Sequence, residues 1–182
     1  MKTEIRFTHQ SLVENSKSGD RTAQYQLYEL YVDAMYNVSM RFLGVKEDAE
    51  DIVQESFVDA FRNLDKFKYE SSFGAWLKRI VINKSINHLK VKRLPLAAMD
   101  DNEYHLTNED EHEYQNIDAM DIMKVKSGIE KLPYGYKQII NLYLLEGFDH
   151  NEISDVLGIT TSTSKSQYHR AKKKLVEIIN TL

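Results

Sequence analysis

From Asp48 onward, apolar side chains return every three or four residues: Val53, Phe57, Ala60 and Leu64, with Ile52 and Phe61 widening the stripe. That period belongs to an α-helix with one face in a core. Asp51, Gln54, Glu55, Val58 and Asp59 are left on the other face, and Asp48, Glu50 and Asp51 crowd the first turn, where the helix dipole favours carboxylates. An acidic, amide-bearing face without a catalytic set suits docking. A plain solvated helix surface has the same composition, and the rest of the chain has to separate the two.

The helical period recurs through most of the chain. With 7 Gly and 2 Pro in 182 residues, the composition favours an all-α protein over a sandwich, a barrel or a disordered chain. Helices are expected from Leu12 to about Lys17, Arg21 to Leu43, Glu47 to Phe67 and Ser72 to about Lys92. Further helices are expected from Asp121 to Lys131, Tyr134 to Leu145, Asp149 to Leu157 and Ser162 to Leu182. Pro95 closes the first group, because proline disfavours a helical residue before it. Two small helical domains are therefore expected, 1–94 and 119–182, joined by a flexible acidic linker over 95–118.

The net charge of -4 hides an uneven distribution. Residues 94 to 121 hold Asp100, Asp101, Glu103, Glu109, Asp110, Glu111, Glu113, Asp118 and Asp121 with no Lys or Arg, which leaves 24 basic against 19 acidic side chains elsewhere. Both modules are basic on balance and compatible with a nucleic-acid partner. With Cys 0, disulfides, thiolate metal sites and cysteine nucleophiles are excluded, and a reducing compartment fits. The first twenty residues lack an apolar core of the signal-peptide kind, and the run around Ile80 to Ile82 is far too short to span a bilayer. A cytoplasmic protein without membrane insertion is expected.

Asp149 to Arg170 has the layout of a helix-turn-helix. Asp149 and Glu152 form a variant capping box, and Ile153, Val156 and Leu157 supply the buried side of the first helix. Gly158 makes the turn, Ile159 plugs the angle, and Thr160 or Thr161 caps the second helix. On that helix Tyr168, Ala171, Leu175, Ile178 and Leu182 face inward, and Lys165, His169, Lys172 and Lys173 face outward. Thr163, Lys165, Ser166, Gln167 and His169 stand where a recognition helix reaches base edges. Arg170, Lys172, Lys173 and Lys174 suit phosphates.

In the first domain, Phe73, Trp76, Leu77, Ile80, Val81 and Ile86 form a buried stripe, and Lys78, Arg79, Lys84, Lys90, Lys92 and Arg93 make the other side basic. Aromatics beside cations fit a single strand, where bases stack and phosphates are neutralised. Taken alone, the aromatics read as core and the lysines as solvated surface.

Three segments in order, DAEDIVQESF, then FGAWLKRIVINKSINHL, then LPYGYKQIINLYLLEGFDHNEISDVLGITTSTSKSQYHRAKKKL, resemble an extracytoplasmic-function sigma factor of bacterial RNA polymerase. The resemblance covers nearly everything but the linker and the first few residues. It implies that the helix from Asp48 to Phe67 docks on the clamp coiled coil of the polymerase's largest subunit through Asp51, Gln54 and Glu55. It also implies that Glu70, Ser71, Ser72 and Phe73 lie in a loop that pockets a flipped base of the unwound minus-ten element. Lys78, Arg79, Asn83 and Asn87 would line the strand, and the second domain would read the minus-35 element as duplex. Promoter DNA, core polymerase and an anti-sigma factor are the partners implied, with association to the nucleoid in the holoenzyme. Ile86, Ser162 and Gln167 stand where the family commonly has a basic residue, a glycine and an arginine, so no base preference is assigned.

No catalytic residue, cofactor or metal is expected. Glu109 and His112 have the E-x-x-H spacing of di-iron bundles, but such sites need two pairs and further carboxylates on packed helices. Asp51 and Glu55 form no pocketed dyad. The acidic linker reads as a solvated tether, and the resemblance adds the role of occupying a basic channel near the RNA path. Two rival classes are a stand-alone helix-turn-helix regulator, whose first domain would dimerise or sense a ligand, and a di-metal helical enzyme.

Overall fold

A computed structural model describes residues 8–93 and 119–182, and within them the secondary structure is helical. They form two compact units, one on each side of the stretch between. The expected acidic linker, Glu109, His112 and Pro95 lie outside the described residues.

Unit 1 holds α1 (Gln10–Lys17), α2 (Arg21–Leu43), α3 (Lys46–Arg62) and α4 (Phe73–Arg93). Helix α2 starts where the Asp20 carboxylate accepts from the Thr22 and Ala23 amides, and it stops at Gly44, whose φ of 69° ends the helix without a Cβ penalty. It packs against α1, α3 and α4, and α3 packs against α4. Leu27 from α2, Ala49, Val53, Phe57 and Ala60 from α3, and Leu77, Val81 and Ile82 from α4 fill the core at 5% exposure or less. Inside it the Ser39 and Ser85 hydroxyls lie 3.2 Å apart, so a polar pair between α2 and α4 is satisfied without water.

The expected helix from Glu47 to Phe67 ends early, at Arg62. Asn63 is the cause: its amide N–H reaches the Asp59 and Ala60 carbonyls, and its side-chain Nδ2 donates to the Asp59 carbonyl at 2.9 Å. A short 3₁₀ turn, Leu64–Lys66, follows, and Leu64 remains 2% exposed. The apolar period thus outlasts the helix that it announces.

Unit 2 holds α5 (Ala119–Glu130), α6 (Tyr134–Ile140), α7 (His150–Leu157) and α8 (Thr161–Ile179). Helix α8 packs against the other three. Ile129, Leu132, Ile140, Ala171 and Leu175 are the centre of this core. At Gly128 a Cβ would stand 2.9 Å from Leu175 Cδ1, so any other residue there would make the Leu175 side chain shift. The expected continuous helix from Tyr134 to Leu145 changes at Asn141 into a π turn, Asn141–Leu145, closed by the Glu146 N–H on the Asn141 carbonyl at 3.0 Å. Leu182, expected to face inward, lies beyond the end of α8 and is 45% exposed.

Candidate nucleic-acid interface

Helix α4 carries two polar faces. Arg79, Asn83, Asn87 and Lys90 are all exposed, and their spacing of four, four and three places them in one stripe along the helix. This stripe joins the two amides with Arg79 and Lys90 of the cations that the sequence assigned to a strand. Lys78 lies beside it, half-buried. The second face, one residue further on, holds Lys84, His88 and Lys92, and it turns toward α3. Lys84 Nζ lies 2.8 Å from Asp59 Oδ2 and 3.2 Å from Glu55 Oε2, Lys92 Nζ lies 2.5 Å from Asp48 Oδ2, and His88 Nε2 stands 3.4 Å from Asp48 Oδ1. Lys84 and Lys92, expected among the strand-facing cations, are instead paired with α3, because its carboxylates stand opposite them.

These pairs have a pH signature. The hydrogen bond from Lys92 is the main cause that holds Asp48 below the usual carboxylate range, and the bond from Lys84 does the same for Asp59. A carboxylate with a lowered folded value stabilises the fold above its unfolded value of 3.8, and the contribution is lost as pH falls through the folded value. Lys84 is raised, chiefly by its bond to Asp59, so its contribution is present below 10.5 and fades as pH rises past the folded value. Melting temperatures of unit 1 measured from pH 7 to 3 are expected to fall less steeply below about pH 4 in an Asp48→Asn, Asp59→Asn variant than in the parent. Equal acid slopes would remove these pairs from the account.

Between the 3₁₀ turn and α4 runs the loop Phe67–Ser72. Glu70 is exposed and Ser71 half-buried. Ser72 is a helix cap: its Oγ accepts from the Ala75 N–H at 3.2 Å and its carbonyl from the Trp76 N–H at 3.0 Å. Phe73, which the apolar period put in the buried stripe and the resemblance put in the loop, opens α4 and is 1% exposed. Its ring is enclosed by Tyr31 at 5.3 Å, Trp76 at 6.0 Å and Phe67 at 6.2 Å, so it supports the loop from below and presents no face to a base.

On α3, Asp51, Gln54 and Glu55 are exposed together, and Gln54 borders a groove of about 490 Å³ whose far wall is Tyr28, Val32, Asp33 and Tyr36 of α2. Sequence reasoning missed that wall. Helix α2 is recognised as a helix from its sequence, but nothing in that sequence says which neighbour it leaves a gap beside.

In unit 2 the capping box is complete: Asp149 Oδ1 accepts from the Asn151 and Glu152 amides at 2.7 and 2.8 Å, and Glu152 Oε2 accepts from the Asp149 N–H at 2.9 Å. Gly158 turns the chain at φ 73°, and Thr160, rather than Thr161, caps α8 through its Oγ1. The Thr161 hydroxyl donates to Asn151 Oδ1 instead. Lys165, His169 and Lys173 are exposed on one stripe of α8, with Gln167 and Arg170 half-buried beside it. Thr163 and Ser166 belong to the first turn, where the Thr163 N–H donates to Thr160 Oγ1 at 3.0 Å and the Ser166 hydroxyl donates to the Thr163 carbonyl at 3.0 Å. Lys174, expected at a phosphate, pairs with Glu177 at 3.0 Å, a surface pair of little energetic weight.

What sets α8 against α7 is a cluster the sequence reading passed over. His150 Nδ1 lies 2.9 Å from the buried Ser164 hydroxyl, and its ring stacks on Tyr143 at 4.8 Å, with Tyr168 4.4 Å from Tyr143. The signal was present. Ser164 continues the inward period of Tyr168, Ala171 and Leu175 by one turn, and only its polarity disguises it.

Among the described residues no group of three or more His, Asp or Glu is placed to hold a metal, and no helix is long and apolar enough to cross a membrane. Comparison with known proteins adds the following. Residues 27–94 match the profile of sigma-70 region 2, and residues 122–175 match that of sigma-70 region 4. The chain is 31% identical over 184 residues to the ECF RNA polymerase sigma-E factor of Haemophilus influenzae, covering 96% of this chain and 97% of that one. It is 30% identical over 172 residues to the ECF RNA polymerase sigma factor SigW of Bacillus subtilis, covering 90% and 92%. Among solved structures, CnrH in complex with the cytosolic domain of CnrY superposes with a TM-score of 0.54 at 26% identity, over 93% of this chain and 96% of that one.

Proposed function

The chain belongs to the extracytoplasmic-function sigma factors, which direct bacterial RNA polymerase to specific promoters, and from that premise we propose how its faces divide the work. Residues 1–94 form the domain that binds core polymerase and captures the minus-ten strand, 95–118 the link, and 119–182 the reader of the minus-35 duplex. Asp51, Gln54 and Glu55 meet the polymerase clamp, and the groove beside Gln54 extends that surface onto Tyr28 and Tyr36. The observation that carries the strand assignment is the Arg79, Asn83, Asn87, Lys90 stripe. Two amides between two cations can accept and donate to the edge of an unstacked base while the cations neutralise phosphate. Lys78 flanks it, and Ser71 with Glu70 edges the pocket for a flipped base.

On α8, Lys165 and His169 reach base edges in the major groove, with Gln167 beside them. Arg170 and Lys173 hold phosphates, and Thr163 and Ser166 line the N-terminal end that points into the groove. The protein contributes binding and strand separation, and the bond-making belongs to the polymerase. It acts in the cytoplasm, on the nucleoid. An anti-sigma protein partner is part of this reading, in keeping with the CnrH structure, which contains the cytosolic domain of CnrY.

The direct test is to assemble the purified chain with core polymerase and sequence the DNA retained from a randomised duplex library. Two short enriched blocks at a constant separation are the expected result. Enrichment of a single block, or retention no better than core polymerase alone, would overturn the division of labour.

A further inference from the structure

Tyr69 sits in the middle of the Phe67–Ser72 loop with φ 59°, a left-handed conformation that strains a bulky L-residue and persists only where its surroundings enforce it. The enforcement comes from α1, a helix that precedes the stretch matched to sigma-70 region 2. The Tyr69 hydroxyl donates to Glu14 Oε1. Lys17 Nζ stands 4.4 Å from the centre of the Tyr69 ring and donates to the Phe67 carbonyl at 3.1 Å, while the Phe67 and Tyr69 rings meet at 4.7 Å. Two side chains one turn apart on α1 therefore hold the ring, the hydroxyl and the backbone of this loop. Burial and the Glu14 bond both push the Tyr69 phenol well above its ordinary value, so the hydroxyl stays a donor throughout the working pH range.

We propose that Glu14, Lys17 and Tyr69 are positioning residues: a brace from α1 that holds the loop in the strained form that leaves Glu70 exposed and Ser71 half-exposed beside it, ready for an unstacked nucleobase. This rests on the assignment of the loop to strand capture made above. The brace does not touch the base. It removes the ordering cost that a slack loop would meet on binding, so its energy appears as strand affinity and base discrimination rather than as fold stability.

The test uses holoenzyme made with the full chain and a fluorescent single strand taken from a promoter that the holoenzyme selects. Each variant is also measured on the same strand with an abasic site at the flipped position. A Glu14→Gln, Lys17→Met variant is expected to bind the intact strand about tenfold more weakly, with the intact-to-abasic ratio falling toward one and core polymerase affinity unchanged. Tyr69→Phe, which keeps the ring over Lys17 and loses only the hydroxyl, is expected to fall between the two. A variant that loses affinity for both strands in proportion, keeping the parental ratio, has only a structural defect, and that result overturns the proposal. So does unchanged strand affinity in the Glu14→Gln, Lys17→Met variant when the parent discriminates. A parent holoenzyme that does not distinguish intact from abasic strands would instead refute the assignment of the loop itself, and the brace with it.

Discussion

A chain carrying Asp51→Ala, Gln54→Ala and Glu55→Ala is expected to bind core polymerase at least about a hundredfold more weakly, a loss of roughly 2.7 kcal/mol. Losses of that size come from a few central side chains of an interface, and these three are exposed together beside a groove large enough to seat a partner's side chains. The fold should hardly notice. Asp51 and Gln54 are exposed, and Glu55 gives up one surface ion pair to Lys84. The measurement is a titration of labelled chain with core polymerase at two salt concentrations, with the melting temperature recorded alongside. Affinity within threefold of the parent would move the docking surface elsewhere on the chain.

The second large effect is on stability. Phe73→Ala is expected to cost unit 1 about 3–5 kcal/mol, because the ring is 1% exposed and its removal leaves a cavity among Tyr31, Phe67 and Trp76. Against a typical total of about 5–15 kcal/mol for a domain, that brings unit 1 close to unfolding at ordinary temperature. Phe73→Leu should lose much less. Calorimetry of the full chain would show the unit 1 transition lowered and that of unit 2 in place. A cost below about 1 kcal/mol would mean that the aromatic cluster closes around the gap, as some core sites do.

Helix identity was legible because apolar spacing is a property of the chain itself. Ile52, Val53, Phe57 and Ala60 are buried as their period requires, and so are Leu77, Val81 and Ile86. Ile82, which the stripe omitted, is fully buried as well, since α4 is covered on two sides, by α2 and α3. Ends and partners were less legible. Asn63 stops α3 by competing for a carbonyl with its side chain, a choice that Leu64 and Phe67 give no sign of. Lys84 and Lys92 have the same composition as strand-facing cations. Only the arrival of α3, more than twenty residues earlier in the chain, decides where they point. Phe73 shows the converse: the apolar period put it in the buried stripe and the resemblance put it in a loop, and packing sides with the period.

The Lys84 bridge gives the two helices a common currency. Its ammonium is shared by Asp59 and Glu55, on the helix proposed to dock, while its neighbours Asn83 and Asn87 look the other way, toward the proposed strand. Any partner that takes the Glu55 carboxylate must share it with Lys84 or displace it. If a strand bound along Asn83 and Asn87 shifts Lys84 and so changes polymerase affinity at Glu55 by some factor, the polymerase changes strand affinity by that same factor. Promoter strand and polymerase would then be party to one equilibrium through a single ammonium group.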